Sequence, residues 1–143
     1  MSTFYFIALA VVGGLAITLQ GQFMGIMDQT LGTRTSVFIT YASGGALMVL
    51  VVLLRGVKLE NLRAVPWYAF SAGVLGLVIV GTIGYVVPRL GVASGFTLIV
   101  AAQFVFAALI DHFGWFQATV RPLDATRLIG LAVMLLGVWW VNR

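Results

Sequence analysis

No aspartate, glutamate, lysine or arginine falls in the middle of any of the five long apolar runs that occupy most of this 143-residue chain. A charge at the centre of a bilayer is costly, so charge-free runs separated by polar joints are the pattern that lipid selects. Spanning a ~30 Å hydrocarbon core takes ~20 apolar residues per helix, so five helices use about 100 residues and leave roughly 40 for joints and ends. Composition agrees, with 62% of residues hydrophobic and 8% charged, where a soluble domain carries roughly a quarter charged residues. This excludes an ordinary water-soluble fold, and it equally excludes disorder, which needs low hydrophobicity and high charge. The expected fold is all-α and integral to a membrane, one five-helix transmembrane domain over residues 1–143.

The runs cover about 4–27, 36–54, 67–87, 92–110 and 122–141. Asp28, Gln29, Thr33 and Arg34 mark the first joint, and Arg55 to Pro66 the second. Pro88 and Gly91 are expected to bracket a tight turn around Arg89, and Asp111 to Arg121 forms the longest connection. Pro66 and Pro122 sit where proline is best tolerated, in the first turn of a helix. The fifth run is short: 14 apolar residues from Leu128 to Val141 reach about 21 Å. The apolar amino-terminal run lacks a basic start and is followed by further spans, so it reads as a first helix rather than a cleaved signal.

Eight Lys+Arg against four Asp+Glu give a net charge of +4. The cations are scattered among the joints, which fits topology signals and not a nucleic-acid surface. Arg55, Lys58, Arg63, Arg121 and Arg127 share the side of the amino terminus, while Arg34, Arg89 and Arg143 lie opposite. Five against three favours a cytoplasmic amino terminus, by a margin small enough to permit insertion both ways. Tyr5, Trp67, Tyr68 and Trp115 on one side, and Tyr41, Tyr85, Trp139 and Trp140 on the other, read as interfacial belts. The chain has no cysteine and one histidine, so disulfides are excluded and no metal or other cofactor is expected.

Seventeen glycines suit a bilayer, where small residues let helix backbones approach. Gly21 and Gly25, Ala72 and Gly76, and the pair Gly44 and Gly45 read as packing positions within the unit. Gly130 and Gly137, seven apart on the short last run, are the candidate interface between two subunits. Among polar groups at membrane depth, Gln20 and Gln103 can either bond a neighbouring helix or line a substrate cavity. Ser43, Ser71, Ser94 and Thr97 more readily bond back to their own helices. Tyr85 joins the cavity candidates, and Arg89 either anchors its helix end or sits at the mouth of a pathway. Asp111 beside His112 invites an acid/base reading, yet no third catalytic member is visible, so no catalytic residue is assigned and no enzyme is expected. The lack of a mid-span carboxylate argues against exchange of cations for protons and favours neutral or weakly charged substrates.

Taken in order, GGLAITLQGQFMGIMDQTLGTRTSVFITYASGGAL, then VPRLGVASGFTLIVAAQFVFAALIDHFGWF and RPLDATRLIGLAVMLLGVWWV, resemble the YdcZ family of small five-helix inner-membrane proteins. That family belongs to the drug/metabolite transporter superfamily. Pro-Arg-Leu-Gly, the mid-helix Gln, Asp-His-Phe-Gly and the closing Gly-Val-Trp carry the likeness over nearly the whole chain. One departure lies in the first run, where Gln22-Phe23-Met24 stands where the family usually places an Asn. The resemblance implies half of a ten-helix inverted-repeat transporter in a bacterial inner membrane. The missing half would be an inverted second copy or a paralogue of opposite orientation. Transporter repeats are commonly inverted about an axis in the membrane plane, with the substrate at their interface. An odd number of helices can build such a fold only if a second unit inserts upside down. The expected function is therefore small-molecule transport, as an exporter acting as an antiparallel dimer. The competing reading is a non-transporting accessory subunit of a larger membrane complex.

Overall fold

The structure, a computed structural model, describes residues 3–57, 60 and 62–143; Lys58, counted above among the joint cations, lies outside them. The described residues form five α-helices: α1 (Thr3–Leu31), α2 (Thr33–Arg55), α3 (Ala72–Leu90), α4 (Val92–Phe113) and α5 (Ala125–Val141). A 3-10 turn over Trp67–Ser71 leads into α3, so that Trp67–Leu90 forms one 24-residue apolar helix. This helix, α1, α2 and α4 are long and apolar enough to cross a membrane. At 17 residues, α5 reaches only about 25 Å.

Five helix ends differ from expectation by three or four residues: α2 begins at Thr33, α4 runs on to Phe113, and the other three shift for a local reason. The first helix runs past Met27 to Leu31 and stops only at Gly32, which takes a positive φ of 78°. The third continues through Pro88 to Leu90, so the expected tight turn shrinks to the single residue Gly91. Prolines are tolerated inside membrane helices where neighbouring helices compensate, and the Pro88 ring packs on α1, where a Cβ at Gly25 would lie 3.6 Å away. The fifth begins at Ala125, not Pro122, because the Asp124 side chain accepts the Arg127 backbone N–H at 2.8 Å and caps it there.

The chain divides into two compact units, Met1–Arg89 and Leu90–Arg143. In the first, packing converges at one end. Gly21, Met24, Gly25 and Asp28 of α1, Ser36 of α2, and Ile83, Gly84 and Val87 of α3 are all buried. Away from that end, every residue from Thr3 to Gln20 is exposed, as is every residue from Tyr41 to Val51. Lipid supplies no hydrophobic drive for helices to associate, so close packing is confined to where small and polar residues meet.

The second unit is a helical hairpin. Gly114 closes α4 at φ 64°, and a Cβ there would come within 2.7 Å of Val120 Cγ2, so both the backbone and the returning chain require glycine. The returning chain is pinned by Arg121 N–H to the Asp111 carbonyl at 2.8 Å and by Leu123 N–H to His112 Nδ1 at 3.1 Å. Arg127 closes the arrangement, donating to the Arg121 carbonyl at 2.9 Å and pairing with Asp111 at 3.5 Å. At the other end of the hairpin, Asn142 Nδ2 donates to Thr97 Oγ1 at 3.1 Å.

Candidate functional site

Two features of the first unit carry polar chemistry, an ion pair at its packed end and a groove near helix mid-depth. Gly21, Met24, Gly25 and Asp28 recur at helical spacing, so the extension of α1 past Met27 keeps Asp28 on the same buried stripe. Its carboxylate accepts the Thr33 hydroxyl from the start of α2 and Arg89 Nη1 from the end of α3 at 3.1 Å. The two partners differ in environment: the Arg89 side chain is 48% exposed and that of Asp28 only 5%. The Arg89 guanidinium carbon sits over the Tyr85 ring, 3.7 Å from its centroid, and Arg89 donates to the Tyr85 carbonyl at 2.6 Å. One carboxylate thereby ties together the ends of three helices. Its burial is tolerable because both oxygens are hydrogen-bonded and the charge is paired.

The groove is a shallow, open depression of about 400 Å³ between α1, α2 and α3, lined by Gln20, Thr40, Tyr41, Gly44, Gly45 and Met48 together with Val80. Gln20 and Tyr41 lie within about 5 Å of the midpoints of their helices at ~1.5 Å per residue. Tyr41 crosses from α2 to α3, its hydroxyl occupying the space that a Cβ at Gly76 would need. Eight positions separate Gln20 from Asp28, about 12 Å along α1, so groove and ion pair are distinct places on one unit.

Of the residues expected to line a cavity, the structure therefore brings Tyr85 and Arg89 together at the ion pair and sets Gln20 in the groove. Gln103 is exposed near the middle of α4 and makes no side-chain hydrogen bond to a described residue. Gly130 and Gly137 border grooves between α4 and α5, and among the described residues neither would meet an atom of another element within 4 Å if it carried a Cβ. The space these glycines create is left unused by α4.

Two residues at these places are not evident from sequence. Asp28 reads there as part of a polar joint, although its spacing from Gly21 and Gly25 puts it on the small-residue face of α1. Tyr41 reads as a member of an interfacial belt; only its approach to Gly76 on the following helix, α3, sets it apart, and single-chain periodicity carries no such signal.

Residues 5–140 match a family model described as "Putative inner membrane exporter, YdcZ". No curated protein and no solved structure matches the chain.

Proposed function

The chain belongs to the YdcZ family of inner-membrane exporters, and from that premise we propose that it transports a small molecule out of the cytoplasm as an antiparallel pair. The partner is a second, inverted copy or a paralogue of opposite orientation. The observation that carries this reading is the groove at Gln20 and Tyr41: polar side chains at membrane depth, on helices that pack firmly at only one end. Such a unit is half of a cavity wall. Gln20 lines the wall, Gln103 is the amide that α4 offers to the assembled transporter, and Tyr85 and Arg89 stand at its mouth. The amino terminus faces the cytoplasm in one member of the pair.

Gly130 and Gly137 support the inverted pairing. They lie about equally far on either side of the middle of α5, and their space is free. Two α5 helices crossing at their midpoints in opposite directions bring Gly130 of each beside Gly137 of the other. Small residues at such a crossing permit close backbone approach.

The substrate need not be identified for transport to be tested. Proteoliposomes loaded with a bacterial metabolite extract are expected to lose discrete solutes when they contain the wild-type protein, and to retain them with Gln20→Leu. Identical retention in both, together with stoichiometric co-purification of a partner of another fold, would instead identify an accessory subunit.

A further inference from the structure

We propose that the groove between α1, α2 and α3 binds an uncharged solute carrying both a hydrogen-bond donor and an acceptor, held by the Gln20 amide and the Tyr41 hydroxyl. This deepens the transporter reading and rests on it for the solute's passage, but not for its binding.

The hydrogen-bond inventory around the groove supports the assignment. The short hydroxyls nearby are satisfied by their own helices: Thr18 donates to the Gly14 carbonyl at 2.9 Å, Thr40 to the Ser36 carbonyl at 2.8 Å and Ser43 to the Thr40 carbonyl at 3.1 Å. The two longer groups that reach the groove, Gln20 and Tyr41, have no hydrogen-bond partner among the described residues. Both are exposed, so the amide and the hydroxyl are open to a solute that enters the groove. Together they offer donors and acceptors that a single amide-like solute can meet at once.

Charge and shape narrow the class. Among the described residues, no ionisable group but the Tyr41 phenol lines the groove, and Asp28 and Arg89 at the unit's packed end are already paired with each other. An ammonium or carboxylate would enter without a counter-charge, which low dielectric penalises heavily. Gly44 and Gly45 leave the floor open, with no atom of another described residue within 4 Å of either Cβ position beyond their own helix neighbours. A volume of about 400 Å³ suits a small ring or short chain, since ligand pockets start at roughly 300 Å³.

Three isosteres of different charge test the proposal: para-fluorobenzamide, para-fluorobenzoate and para-fluorobenzylammonium, each followed by fluorine NMR with the purified full-length protein in lipid nanodiscs. The amide is expected to bind at least tenfold more tightly than either ion. Tyr41→Phe and Gln20→Leu, which keep the shape and apolar character of the helices, are each expected to weaken amide binding about five- to tenfold, the loss of one neutral hydrogen bond. Gly76→Ala, which displaces the Tyr41 ring, weakens it as well. Binding of an ion as tight as the amide, no binding of the amide, or amide binding indifferent to both Gln20 and Tyr41 would overturn the assignment. So would dissociation of the pair in Tyr41→Phe and Gln20→Leu, which would give the groove to the second copy. Solute loss from proteoliposomes that persists under any of these outcomes leaves transport standing and removes only this site.

Discussion

Both units join helix ends through an aspartate and an arginine, yet the two pairs are physically different objects. Asp28 is enclosed by three helices and among the described residues its side chain meets Thr33 and Arg89, so the pairing holds a buried charge in place. Asp111 and Arg127 are each about a third exposed, at 37% and 35%. Their pair trims a loop that backbone hydrogen bonds already hold. Identical chemistry thus carries different weight according to what water can replace. The same contrast separates the glycines. Gly114 is demanded by its φ and by Val120, whereas Gly44, Gly130 and Gly137 border open space.

Substitution separates the two pairs. Arg89→Ala leaves Asp28 buried with a single hydroxyl partner. It is expected to cost about 2–3 kcal/mol, somewhat below the ~3–5 kcal/mol of a fully enclosed pair because Arg89 itself is half exposed. Asp111→Ala or Arg127→Ala through the ion pair alone is expected to cost under about 1 kcal/mol. Chemical unfolding in detergent micelles measures both, and equal losses would erase the distinction. A smaller difference is expected between the glycines. Gly114→Ala forces a side chain into the left-handed region and against Val120, for a loss of roughly 1–2 kcal/mol. Gly44→Ala, on an ordinary helical backbone, is neutral or slightly stabilising. Thermal unfolding of the two variants checks the order, and a reversal would contradict the open space at Gly44.

Much of the architecture is legible in the sequence because membranes impose a coarse rule. Charge-free runs locate all five helices, and the joint at Gly91 is visible as a glycine between two of them. The fine boundaries are not legible, since competing local preferences have to be weighed against each other. Asp28 and Gln29 look like the start of a loop, but nothing there breaks a helix, and α1 continues to the first residue that does. Pro122 fits a helix start, yet Asp124 supplies a cap that proline cannot, and the cap decides the boundary. The ion pair is half visible: Arg89 stands out as a helix-end cation, but its partner lies on a helix far away in sequence. The groove is visible at Gln20 alone, because the depth of a glutamine can be counted along a helix and the neighbour of Tyr41 cannot.

The inverted pairing is tested most directly by cross-linking along α5. The natural chain has no cysteine, so a Gly130→Cys copy and a differently tagged Gly137→Cys copy can be co-expressed and oxidised in native membranes. Opposed helices crossing at their midpoints predict disulfides chiefly between the cysteine introduced at 130 of one copy and that at 137 of the other. Disulfides formed mainly between like positions would mean that the helices run in the same direction, and the proposed transporter could not be assembled from two inverted halves.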